Sequence, residues 1–237
     1  MKDIEIQTWK QLELIKWDAL VIGNGASISI HEEFAYTSLH DIAHSRGLLP
    51  TSKPIFSILG TTDFEHVLLA CWYAQQVNEA LRSNTNDVDV AYKEVRSALI
   101  QAVNVVHPAC AKVDTQLKLI GEFACQFNII ASLNYDLTLY WAIMQYNSKH
   151  PYSFKDAFIK GEFDADWREY LSKPYNGAKG ASMVFYPHGN LAIARRINHG
   201  EVKISSSQPI GGDLLEVIVS HWESGEYMPV FVSEGAA

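Results

Sequence analysis

Three short apolar runs, Ala19-Leu20-Val21-Ile22, Asn128 to Leu133 (NIIASL) and Val184-Phe185-Tyr186, each stop at a polar, turn-forming group. Those groups are Gly23-Asn24-Gly25, Asn134-Tyr135-Asp136 and Pro187-His188-Gly189-Asn190. Short apolar runs bounded in this way read as buried strands, and helical spacing follows the first two. In an open α/β sheet, ligands bind beyond the carboxyl ends of the strands, so three polar strand ends on one edge would converge on a single pocket. The expectation is an α/β fold with a Rossmann-like, open, mainly parallel sheet.

The remaining pattern fills in one domain over 1–237. A helix from Trp9 to Trp17 leads into the first strand, and apolar positions from Ser27 to His44 continue as an irregular helix. Residues 50–62, with Pro50, Pro54 and Gly60, read as a loop. Asp63 then caps a long helix through Leu81, followed by helices over 88–106 and 109–126. The segment 63–126 is thus expected to be a helical insertion between the two pieces of an α/β core, 18–62 and 127–237, whose strand, glycine turn and helix stand in the order of a nucleotide site. Residues 147–181 read as loop with a short helix near 165–171. Leu191 to Ile197 and Glu201 to Ser205 form a hairpin around Asn198-His199-Gly200. A helix over 212–221 and a strand from Pro229 to Val232 close the pattern.

Composition removes several classes of function. With 48% apolar and 19% charged residues, a sizeable core is available. A formal net charge of −8 leaves no basic surplus for a phosphate backbone, so nucleic acid is not an expected partner. No run approaches the roughly 20 apolar residues of a membrane helix, and no membrane role is expected. Cys71, Cys110 and Cys125 are odd in number and widely spaced, which reads as free thiols in a reducing compartment, the cytoplasm.

The candidate chemistry sits at the three strand ends. Glycines in Gly23-Asn24-Gly25-Ala26-Ser27 let backbone approach a phosphate, although the six-position dinucleotide fingerprint and the P-loop Lys are both absent, and a structural turn stands as the alternative. Alone, Asn134 reads as an Asx turn and His188 as a packed or capping histidine; together at one sheet edge they read as a site. His40 and His44 share a helix face, but the residue after His40 is Asp rather than the zincin Glu and no third ligand is apparent, so no metal is expected. No G-x-S-x-G elbow occurs.

Read in order, the three motifs resemble the sirtuin-like superfamily. ALVIGNGAS is similar to its Gly-Ala-Gly-x-Ser loop, ASLNYD to its Thr-x-Asn-Tyr/Ile-Asp strand and YPHGN to its His-Gly motif, over roughly residues 18–232. The wording is closest to bacterial sirtuin-like proteins of anti-phage defence, which cleave NAD. The resemblance implies that Gly23, Asn24, Gly25, Ala26 and Ser27 hold the NAD pyrophosphate. Asn134 and His188 would stand at the nicotinamide ribose, and Asp136 would brace the Asn134 loop or reach the ribose. Asp63-Phe64-Glu65 falls where sirtuins carry Pro-Asp-Phe-Arg, without that Pro and Arg. The four-cysteine zinc module of the deacetylases has no counterpart, which disfavours deacetylation.

The expected activity is NAD glycohydrolysis, with NAD as substrate, no metal, Asn134 positioning water and ribose and His188 as general base or activator of a ribose hydroxyl. Related sequences continue past PVFVSE into a further strand, whereas this chain stops at Gly235-Ala236-Ala237; a truncated form, a shortened homologue and completion by a partner all stay open. The alternative function is a non-catalytic module that binds NAD or ADP-ribose and regulates or scaffolds a partner. In a third reading, the helices of 63–126 form a homo-oligomer surface.

Overall fold

A computed structural model describes residues 8–12, 15–31, 34, 39–172, 181–196, 200–205 and 213–231. The elements run α1 (Trp9–Leu12), β1 (Ala19–Ile22), α2 (Asn24–Ile30), α3 (Leu39–Ser45), α4 (Lys53–Leu59), α5 (Phe64–Ala80) and α6 (Asn86–Val106). A 3-10 turn (Cys110–Val113) precedes α7 (Asp114–Ala124), β2 (Ile129–Ser132) and α8 (Thr138–Lys149). Then come β3 (Phe154–Asp156), β4 (Phe158–Ile159), β5 (Glu162–Phe163), α9 (Glu169–Ser172), β6 (Ser182–Phe185), β7 (Gly189–Arg196), β8 (Gly200–Lys203), α10 (Asp213–Ser224) and β9 (Tyr227–Phe231).

The fold is α/β with a Rossmann-like parallel sheet, in the strand order β1, β2, β6, β3. All three anticipated strands belong to it, with Ile22 level with Ser132 and Ala131 level with Phe185. Its two inner strands bury Ile130 and Val184 against Ala124 of α7 and against Leu139 and Ile143 of α8. Strands covered by helices read as continuous apolar runs, which is why β2 and β6 were legible without alternation. β1, expected to be buried, is instead an outer strand that packs Leu20 and Ile22 on one face and exposes Val21 on the other.

Five further strands form a separate antiparallel sheet in the order β4, β5, β8, β7, β9. The anticipated hairpin is β7 and β8, and β9 pairs with the other side of β7. β3, β4 and β5 occupy the stretch read as loop: β3 and β5 are fixed by the distant β6 and β8, and β4 joins by a tight pairing with β5, strands too short to show a local pattern. Val232, Asn198, His199, Gly212 and the chain end at 235–237 lie outside the described residues.

Helices dominate the first half. On α6, Val95, Ala98, Leu99, Ala102, Val103 and Val106 recur at helical spacing and are buried in the larger core with Phe64, Leu68, Ile218 and Trp222. Asp63 caps α5 as expected, its carboxylate accepting the Glu65 N–H at 3.0 Å. The loop expected over 50–62 contains α4 instead. Pro54 lies in the first helical turn, where its missing N–H costs nothing, and Gly60 takes the left-handed conformation (φ +62) that ends a helix. The expected helix from Ser27 to His44 is two helices, α2 ending at an extended His31. The first helix is described over Trp9–Leu12 and Ile15 to Trp17 are not helical, and the helix over 109–126 is the 3-10 turn followed by α7.

Candidate functional site

Since β1, β2 and β6 are parallel, their carboxyl ends open on the same sheet edge. With strands spaced at about 4.8 Å, the segment after β1 and the segment after β6 are about 10 Å apart, on either side of the segment after β2. The structure thus brings Gly23 to Ser27, Asn134 to Asp136 and His188 to one edge.

Two of these three groups form a single hydrogen-bonded unit. The buried Asn134 side chain donates through Nδ2 to the Gly23 carbonyl at 3.1 Å and to Ser27 Oγ at 2.7 Å. Ser27 Oγ in turn donates to Asp136 Oδ2 at 2.5 Å. Asp136 Oδ1 accepts the Thr138 N–H at 2.8 Å and the Thr138 hydroxyl. That last pair is a local Asx turn opening α8, so the bland reading of the loop is partly right. The long-range bonds from Asn134 and Asp136 go beyond it.

The glycines divide by role. Gly23 is extended (φ −109, ψ −177) and Gly25 lies within α2, and a Cβ on either would meet nothing within 4 Å. Neither packing nor backbone conformation among the described residues requires glycine there, which leaves open surface where another molecule can approach the main chain. Gly189 is the opposite case. It has φ +70, and a Cβ there would sit 1.8 Å from the Val230 carbonyl oxygen of β9. The glycine of the His-Gly pair is therefore required by sheet packing. Asn24 is exposed and its Nδ2 donates to the Phe34 carbonyl at 3.3 Å; Ala26 is exposed, and Ser27 is fully buried.

His188 is exposed in the turn between β6 and β7. A cavity of about 560 Å³ adjoins that turn, lined by Val184 to Pro187 and Gly189 together with Phe158, Phe163 and Ile193. A second cavity, about 490 Å³, follows Leu20 to Ala26 and is walled by Leu119, Ile120 and Phe123 of α7. Asn134 and His188 line neither cavity.

Three residues to which the sequence assigned no role surround the site. Leu191 N–H donates to the Tyr135 carbonyl at 2.8 Å, and the Tyr135 ring stacks on Phe231 at 5.4 Å, so the antiparallel sheet holds the Asn134–Asp136 loop from outside. His107, just past the helix expected over 88–106, accepts the Leu137 N–H at 3.0 Å. Burial pushes its pKa down, with Asp136 opposing. The Tyr186 hydroxyl is buried without a hydrogen-bond partner among the described residues, and burial beside Asp156, Tyr140 and Asp136 holds its pKa well above the usual phenol value. Elsewhere, burial and neighbouring Asp63 push the Glu65 carboxyl up to about 7, against the lowering effect of Arg195.

Among the described residues no group of three or more His, Cys, Asp or Glu is placed to hold a metal ion. The His40 and His44 rings lie 6.3 Å apart, and His44 Nε2 meets Lys53 Nζ, a cation where a metal would have to sit. Among the described residues no helix is long and apolar enough to cross a membrane.

A family described as a domain of unknown function, DUF4917, matches residues 20–237, which include every residue of this sheet edge. The chain belongs to the DUF4917 family. A search of curated proteins matched none of them. The DUF4917 match spans both sheets and the helical segment between β1 and β2.

Proposed function

We propose that this DUF4917 chain binds NAD along the common sheet edge and hydrolyses its nicotinamide N-glycosidic bond, releasing nicotinamide and ADP-ribose. The observation that carries this reading is the bonding of Asn134 to both Gly23 and Ser27, which makes one unit of two motifs that resemble sirtuin-like NAD sites. The open space at Gly23 and Gly25 suits a pyrophosphate lying against main chain.

In the step itself, a water oxygen bonds to the ribose carbon as the glycosidic bond breaks. The bonding pair leaves with the nicotinamide nitrogen, which becomes neutral, and the proton of the attacking water passes to a base. Both N–H groups of Asn134 are engaged with protein, so its Oδ1 is the atom that would accept from water or a ribose hydroxyl. His188, exposed at the neighbouring strand end, is the base with a path for its proton to solvent. Asp136 acts through Ser27 and Thr138 and is a positioning residue. In the cytoplasm such an activity would deplete NAD, the mode of action of the anti-phage proteins that the motifs resemble.

The test is incubation of the protein with NAD, with nicotinamide and ADP-ribose followed by chromatography, beside Asn134→Ala and His188→Ala. Product from the wild type alone supports the reading. Binding without product in the wild type would replace it with a regulatory NAD-binding module, and neither binding nor product would remove NAD from the site.

A further inference from the structure

We propose that His107, at the end of α6, is the positioning residue that sets the Asn134–Asp136 loop from the helical side of the molecule. The claim for catalysis rests on the reading of Asn134 given above; the claim for the loop does not. His107 lies 30 residues before Leu137 in sequence, and its Nε2 accepts the Leu137 N–H at 3.0 Å. Its Nδ1 is 3.1 Å from the Pro108 carbonyl, which can only accept, so Nδ1 carries the hydrogen and Nε2 is free to accept. One neutral tautomer therefore satisfies both ring nitrogens inside the protein.

The ring has little freedom to turn. It stands edge-on to Trp141 (centroids 4.9 Å, interplanar 89°) and to Phe34 (5.5 Å, 86°). Leu137 is fully buried and follows Asp136 directly, so without His107 its N–H would be a buried donor with nothing to bond. From Leu137 the connection runs through Asp136 to Ser27, and Asn134 binds that same hydroxyl together with Gly23. The end of a helix in the 63–126 segment is thereby linked to the sheet edge by side chains whose donors and acceptors match at each link.

Two substitutions separate the role of the ε nitrogen from simple bulk. His107→Gln keeps an acceptor at about the ε position, whereas His107→Asn reaches only the δ position and leaves Leu137 unpaired. Hydrogen exchange over residues 134–138 reads the effect without any substrate. We expect exchange there to rise about tenfold or more in His107→Asn, with α6 and α8 still protected, and to return near wild type in His107→Gln. NAD turnover, measured alongside, should fall about tenfold in kcat in the Asn variant with a smaller change in KM, and recover in the Gln variant.

Unchanged exchange at 134–138, a rise spread equally over α6 and α8, or equal effects of Asn and Gln would overturn the positioning of the loop. Loosened exchange with undiminished turnover would overturn its role in catalysis. If the wild type neither binds nor turns over NAD, the proposed function fails, and the exchange measurement still decides His107.

Discussion

The Ser27 hydroxyl and the Asp136 carboxylate, 109 residues apart in sequence, meet at 2.5 Å inside the protein. Ser27 belongs to the turn and helix after β1, Asp136 to the loop after β2, and the bond closes one against the other. Charge-assisted bonds of this kind are about twice as strong as neutral ones.

Asp136→Ala strands the buried Ser27 and Thr138 hydroxyls, and unfolding in urea should show a loss of about 2–4 kcal/mol. Asp136→Asn retains one acceptor and should lose less. An unchanged midpoint in the Ala variant would show that the Ser27–Asp136 bond adds nothing to the fold.

Gly25→Ala and Gly189→Ala should move in opposite directions. Alanine at 25, inside α2 with open space at its Cβ, should raise stability by about 0.5 kcal/mol while weakening NAD binding. Alanine at 189 must displace Val230 and should cost about 3 kcal/mol or more. Melting temperatures with and without NAD decide the matter, and a Gly25→Ala protein that binds NAD normally would remove the phosphate from that turn.

His188→Ala should leave stability within about 0.5 kcal/mol, because the side chain is exposed, and should cut NAD turnover by about 10²–10⁴. A variant that is equally stable and equally active would dismiss His188 as the base.

The pieces legible in the sequence were those whose cause is local. Ile129 to Ser132 and Met183 to Phe185 are apolar because helices cover the inner strands, Leu20 and Ile22 pack on the same core from one face of β1, and the Asp63 cap and the α6 stripe follow fixed local spacing. Pro54 misled because a proline has opposite meanings in the first turn and in the middle of a helix. β4 pairs with β5 a few residues on, but β5 joins the sheet through β8, some forty residues on in the chain, and no window of sequence contains that partner. At the site, the residue types were visible but their wiring was not. Asn134 could be picked out, yet nothing in ASLNYD says that its amide is turned back onto Gly23. His107 gave no signal beyond ending a helix.

Glu65 predicts a pH effect on stability. Its half-buried carboxyl is held at about 7 in the folded chain against 4.5 in an open one. The folded state then binds more protons between those values, so the stability this group contributes is present below about pH 4.5 and lost as pH rises through 7. Glu65→Gln should therefore raise the melting temperature at pH 8 and leave it nearly unchanged at pH 4. Equal shifts at both values would show that ionisation at this position is irrelevant.

β1 is the outer strand of its sheet, paired among the described residues with β2 alone, whereas β2 and β6 are flanked on both sides. Shifting an outer strand deforms one ladder of backbone bonds, and shifting an inner strand deforms two. The Gly23–Ser27 side of the edge is accordingly the compliant jaw and the Asn134–His188 side the anvil, so a molecule entering between them would be accommodated by yielding on the β1 side.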